Sequence, residues 1–481
     1  MTQSAARPFL RAVRSLVLGL VLALAVPAGL GLPPAAAHDP GGALTRTDAK
    51  RHEFLTAGTS VPLVGTPNVH FVTNVPDVTA ISGCFAKSAP YFYTSTVHSI
   101  AVYDVHDPLA PQLTGLLPDL VFENEAMNCG EKKVDGSLVR FVLVGIDLTQ
   151  ASTDDIAHVR PVGYDEFLVV DVTDPHHPTI RSRAKTSSST HTVTCVRDTA
   201  CDYVYTAGGS VVDLTDLDNP RELTVLSDSP AMRPNAAFSD GVGHKWNFDT
   251  AGYGVHTGSG GSAVYDVRDP AHPKLVTSTD ATGTAPGWND FIHHNSDRPN
   301  AGAFQPGTAP SVANGNVLLV TEEDYENTDC ATAGSFQTWY VDKLDGTPAA
   351  IHPLDRINPV DPGEGVALPD EAFCSAHWFD FHPSGIVAQG YYQGGLRLID
   401  VRDPRNLVEF GYFAPGLSEV WDAYWVPVRN SQGIATGRKT NIVYTADLVR
   451  GLDVYTVDLP GSDTGGGLPM PLLTAGGKTL L

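Results

Sequence analysis

Beyond the first 37 residues the hydrophobic positions come in short, strand-length runs of β-branched and aromatic residues cut by Asp-Pro turns, and almost nothing has a helical period. "FLVVDVTDP" (167–175), "SAVYDVRDP" (262–270) and "GLRLIDVRDP" (395–404) share one grammar: an apolar run closes on aspartate, a turn follows, and a second apolar run begins. Proline presets the turn and the aspartate carboxylate caps it. The pattern predicts an all-β chain.

The unit recurs seven times. Clear copies are "SIAVYDVHDPLAPQL" (99–113), "FLVVDVTDPHHPTI" (167–180), "SVVDLTDLDNPREL" (210–223), "GSAVYDVRDPAHPKL" (261–275) and "GLRLIDVRDPRNLVEF" (395–410). "QTWYVDKLDGTPAAI" (337–351) and "GLDVYTVDLPG" (451–461) keep only the skeleton. The closing aspartates Asp104, Asp171, Asp213, Asp266, Asp342 and Asp400 fall 67, 42, 53, 76 and 58 residues apart, too long and irregular for helical repeats. Four-stranded blades with variable loops fit, each strand C ending at the aspartate, and the fold class expected is a seven-bladed β-propeller of four-stranded antiparallel blades. The aspartates serve the turns rather than calcium, because they recur once per blade in the same turn context. The segment 68–85 resembles 406–424, an outer strand followed by the next inner one, while the last unit has no outer strand of its own. An N-terminal strand near Val69 to Thr73 is expected to supply it and close the ring.

"GLRLIDVRDP", "FLVVDVTDP" and "AVYDVRDP" resemble the LVIVD repeat, a family of exported bacterial and archaeal proteins taken to be β-propellers. The resemblance covers nearly the whole chain after residue 37, through all seven copies. It implies the fold and carries no common activity.

Aligned on the repeat, four consecutive inner strands begin with histidine: "HTVTCVRDT" from His191, "HKWNFDTAG" from His244, "HNSDRPNAG" from His294 and "HWFDFHPSG" from His377. The last three also share a ninth-position glycine, Gly252, Gly302 and Gly385. Inner strands start at one mouth of the axial channel, so these histidines are expected to converge there. Alternation lets only one of His293 and His294 face the channel, and the alignment selects His294. The end of strand B reaches the same mouth, and in blade 5 it carries Glu322, Glu323 and Asp324. His191, His244, His294, His377 and Glu323 are the expected metal ligands. Glu322, Asp324, Glu125 and Asp422 are the expected bases or ligand-orienting groups. Imidazoles with carboxylates suit a borderline divalent ion, Fe, Zn, Mn or Cu. The arrangement resembles the iron-centred propellers of carotenoid oxygenases. The plain alternative is a water-filled channel lined by histidines bonded to backbone.

All six cysteines follow residue 37, an even number that favours disulfides in an exported chain. "CVRDTAC" suits a Cys195–Cys201 bridge across a hairpin. Cys330 and Cys374 would join the acidic loop of blade 5 to the loop entering blade 6, and Cys84 and Cys129 would join inner strands of blades 1 and 2.

Residues 1–37 read as a secretory signal peptide: Arg7, Arg11 and Arg14 precede "SLVLGLVLALAV", and small residues precede Ala37. Residues 38–66 would be an N-terminal extension, 67–461 the propeller and 462–481 a flexible tail. Cleavage after Ala37 leaves 28 basic against 54 acidic residues, a formal charge of −26 that disfavours nucleic acid and anionic membrane as partners. A secreted monomer without stable membrane insertion, meeting an unidentified extracellular ligand, is expected. No nucleophile elbow, zinc-protease helix, phosphate loop or dinucleotide fingerprint occurs. Two functions follow: a binding or surface-interaction propeller with a His/carboxylate mouth, or a metal-dependent extracellular oxidoreductase or hydrolase using the same cluster.

Overall fold

The computed structural model describes residues 42–57, 63–120, 125–146, 165–324, 326–327, 330, 332–358 and 373–460. The expected signal peptide (1–37) and tail (462–481) lie outside them.

Seven antiparallel sheets form a ring, each with its strands in the order A to D from the axis outward. The inner A strands are Gly83–Phe85, Asn128–Val134, Val193–Cys195, Gly243–Phe248, Ile292–Asp297, Phe379–His382 and Val420–Arg429 in blades 1 to 7. Because each sheet is covered on both faces, its strands are apolar almost continuously, and alternation decides which neighbour each side chain meets. In strand C of blade 2, Phe167 and Val169 pack with Val204 and Val212 of blade 3. Leu168 and Val170, on the opposite face, pack with Tyr93, Ile100 and Val102 of blade 1.

The ring closes as the repeat pattern requires. Val69–Val75 is the outer strand of blade 7, paired with Gly451–Val457 from Val69 opposite Val457 to Val75 opposite Leu452. Two N-terminal elements carry no period that would reveal them. Leu63–Gly65 adds a fifth strand to the outer edge of blade 6, opposite Phe413 to Pro415, and covers that edge. Gly42–Ala57 is an α-helix, in a chain where almost nothing after residue 37 has a helical period. It docks through cations rather than an apolar stripe: Arg51 donates to the carbonyls of Val449 and Pro76 at 2.9 and 2.8 Å, and the Phe54 ring lies 4.9 Å from the Arg450 guanidinium.

The repeat aspartates do the turn work expected of them. Asp104, Asp171, Asp213, Asp266 and Asp400 each accept from the backbone N–H two residues on, at 2.9–3.1 Å. Asp342 departs, its Oδ1 taking the Tyr340 hydroxyl at 3.2 Å. The shared ninth-position glycine holds in two blades only. Gly252 and Gly385 have φ of +89° and +85°, and the Arg268 and Arg402 stems lie where a Cβ would project. Gly302 instead sits in a 3-10 turn, and the left-handed positions of that connection in blade 5 are Asn300, Gly307 and Gly315.

The three disulfides are Cys84–Cys129, Cys195–Cys201 and Cys330–Cys374. The last closes a span of 44 residues at the mouth beside the histidines. Chain-entropy arguments put such a bridge at about 2–4 kcal/mol. The double variant Cys330→Ser/Cys374→Ser should lose that much in equilibrium denaturation, and an unchanged midpoint would show that the bridge constrains nothing.

Candidate metal centre on the propeller axis

Local irregularity in the inner strands aims the histidines. His294 sits at a β-bulge: Ile292 and His293 pair with Glu323 and Glu322, and the register then jumps to Asn295 opposite Thr321. The inner strand of blade 4 breaks register likewise between Gly243 and Trp246, the interval holding His244. Such bulges re-aim a side chain without ending the strand. His191 and His377 stand two residues ahead of their inner strands. An isolated parallel bridge between Ala126 and Thr192 brings Glu125 level with His191.

The four imidazoles converge on one carboxylate, that of Glu125. Its Oε2 meets Nε2 of His191 at very short range and Nε2 of His244 at 3.2 Å. Its Oε1 meets Nε2 of His377 at 2.7 Å and of His294 at 3.2 Å. Glu323 lies 3.7 Å from Nε2 of both His294 and His377 and takes a hydrogen bond from the Tyr392 hydroxyl. The two carboxylates and four histidines are at most 3% exposed. The rings form a chain of contacts, His191 to His244 at 4.9 Å, then His294 and His377 at steps of 4.1 Å.

The other ring nitrogens set the tautomers. His244 Nδ1–H donates to the His294 carbonyl at 3.0 Å, and His377 Nδ1–H to the Trp421 carbonyl at 2.6 Å. Nδ1 of His294 is buried and has no hydrogen-bond partner among the described residues. Burial pushes His244 down to about 4, against the pull of Glu125, and holds His294 well below the ordinary imidazole value. Burial, then the neighbouring Glu323, keeps the Tyr392 phenol protonated far above its usual range. His244, neutral and bonded through Nδ1, presents a bare lone pair at Nε2, the configuration of a metal ligand oriented by its surroundings.

The structure thus brings together His191, His244, His294, His377 and Glu323, and redistributes the rest. Glu125, expected as a flanking base, stands at the centre. Asp422 is elsewhere: it accepts from Tyr424 Oη–H and, at 2.7 Å, from Ala423 N–H, and belongs to a buried polar layer with Lys245. Trp378 contacts both groups, 4.3 Å from the His294 ring and 5.2 Å from the Lys245 ammonium. Glu322 and Asp324 face away from the histidines because neighbours of Glu323 point to the other side of the strand. Glu322 accepts from Ser335 N–H at 2.8 Å and is raised to about 7 by burial; Asp324 N–H donates to Ser375 Oγ. His293 faces the blade 4 layer as expected, donating to the Trp288 carbonyl at 3.2 Å and accepting from Ser262 Oγ at 3.0 Å.

Tyr392 and Trp421 escaped the sequence reading. The rule that placed Glu323, that strand B ends at this mouth, applies equally to "QGYYQ" after strand B of blade 6 (Ile386–Gly390) and would have found Tyr392.

Comparison with solved structures adds the fold and nothing finer. One solved propeller matches over nearly its whole length. The β-propeller domain of Cps50 (Swd1) from Myceliophteria thermophila superposes with a TM-score of 0.52 at 12% identity, covering 81% of this chain and 99% of that one. At that identity the likeness speaks for architecture alone. No protein-family model matches the chain, and no curated protein does. Among the described residues no helix is long and apolar enough to cross a membrane.

Proposed function

We propose that this is an exported, LVIVD-type β-propeller that binds a divalent transition metal, Fe, Zn, Mn or Cu, on its axis in a binding or surface-interaction role. One observation carries the reading. His244 and His377 spend their Nδ1 hydrogens on backbone carbonyls, yet their Nε2 atoms point at Glu125 oxygens 3.2 and 2.7 Å away. At His244, which burial keeps neutral, lone pair then faces lone pair inside a buried site, an arrangement a cation between them makes favourable. Separations near 3 Å are also those of neighbouring ligands on one ion, since bonds of about 2.1 Å at tetrahedral angles put donors roughly 3.4 Å apart. Export is supported by the N-terminal arginines and apolar run and by six cysteines all paired. Family membership is supported by the repeats quoted above.

Elemental analysis of protein secreted by its natural route tests this. We expect at least one equivalent of a transition metal, and a lower content in His294→Ala. Less than about 0.2 equivalents in both proteins would overturn the reading.

A further inference from the structure

We propose that the axial cluster is a two-metal centre bridged by Glu125, with unequal sites; the inference rests on the metal reading above. The donors fall into two sets, each with all its ligand atoms within 4.8 Å: Glu125, His191 and His244 in one, and Glu125, His294, Glu323 and His377 in the other. Glu125 belongs to both, and its two oxygens divide cleanly. Oε2 serves His191 and His244, while Oε1 serves His377 and His294. A carboxylate that gives one oxygen to each of two imidazole pairs is placed as a bridging ligand.

Most separations within each set are those of ligands around one ion, the close His191–Oε2 contact excepted. In the first, Nε2 of His191 and His244 are 3.2 Å apart, and His244 is 3.2 Å from Oε2. In the second, His294 and His377 are 3.2 and 2.7 Å from Oε1 and 3.7 Å from Glu323. Bonds of about 2.1 Å place neighbouring donors roughly 3–3.5 Å apart, so the second set accepts an ion with little movement, and the first does so once the His191 ring draws back from its close contact with Oε2. Two ions across one carboxylate match the spacing class of two-metal sites, about 4 Å.

Charge separates the sites. The His294/His377 set has Glu323 in addition to its share of Glu125, and Tyr392 holds that second carboxylate in place. The His191/His244 set has two imidazoles and a carboxylate oxygen already shared. The first ion therefore enters beside Glu323. The second meets fewer anionic ligands and the field of the first, and binds more weakly, by about tenfold or more. The carboxylate-poor site suits a nitrogen-preferring ion such as zinc or copper.

The test is titration of metal-stripped full-length protein with zinc(II), followed by calorimetry and elemental analysis, with anomalous diffraction at the zinc edge. We expect two equivalents in two steps, and two axial peaks roughly 3.5–4 Å apart. His191→Gln/His244→Gln should keep one tight equivalent, and His294→Gln/His377→Gln one weaker equivalent. One equivalent in the native protein, lost in both pair variants, would overturn the two-metal centre and leave metal binding standing. No zinc, and no other transition metal in the secreted protein, would overturn both. Should the pair variants misfold, the number of anomalous peaks in the unaltered protein decides alone.

Discussion

A chain lacking residues 1–75 is expected to fail to form a stable propeller, emerging as aggregate in size-exclusion chromatography with no cooperative thermal transition at the full-length midpoint. The segment Val69–Val75 is the outer strand of blade 7, although that blade's other strands come from the opposite end of the chain. Its removal leaves Gly451–Val457, whose Val454, Tyr455 and Val457 are fully buried, as an unpaired apolar edge. Phe71 stacks on Phe413 at 5.9 Å and meets Tyr455 edge-on at 5.8 Å, so it also joins blade 7 to blade 6. Asn74 ties the strand further, donating to the Arg450 carbonyl at 2.9 Å and to Asp453 at 2.6 Å. The segment contains no cysteine, so no disulfide can hold the seam once its packing is lost. The milder Phe71→Ala removes a half-buried ring and should cost about 2–3 kcal/mol, below the 3–5 typical of a fully buried one. A truncated chain that melts at the full-length midpoint would show that the ring does not depend on this strand.

Glu125→Gln should abolish the stabilisation that metal gives the protein. An ion bound only to the folded state contributes about 2.7 kcal/mol at a hundred times its Kd and about 4.1 at a thousand times. The native protein should lose an increment of that order when stripped by a chelator. Glutamine keeps the size of glutamate and removes the negative charge on which all four histidines converge. Scanning calorimetry of the variant should give the same curve with and without chelator. If Glu125→Gln retains the native metal-dependent shift, Glu125 is not a ligand and the centre must be rebuilt around Glu323.

The extent to which these features can be read from the chain follows from how local their causes are. The blades are legible because strand period and turn chemistry are local, and each Asp-Pro turn with its preceding apolar run announces a blade edge. Closure by Val69–Val75 is legible for a related reason: seven C strands with one outer strand missing leave one place for an unassigned N-terminal strand. The helix Gly42–Ala57 is not legible, because it is held by Arg51 reaching distant carbonyls and by Phe54 against Arg450, contacts with no periodic signature. The histidine series was visible through repeat alignment, since equivalent positions in successive blades share one height on the axis. Glu125 was legible as a flanking group near the histidine position in blade 2, but not as the central carboxylate, a place it takes through a bridge between Ala126 and Thr192 of the neighbouring blade.

Sequence by itself therefore determined the number of blades, the strand that seals them, the cysteine pairs and which histidines meet. All of these depend on periodicity, turn preference and the order of strands in a ring. Only the tertiary structure decided that Glu125 stands at the centre with a different histidine pair on each oxygen, and that Asp422, Glu322 and Asp324 belong to other environments. These outcomes turn on bulges and side-chain reach of a few ångströms, distances that no spacing along the chain records.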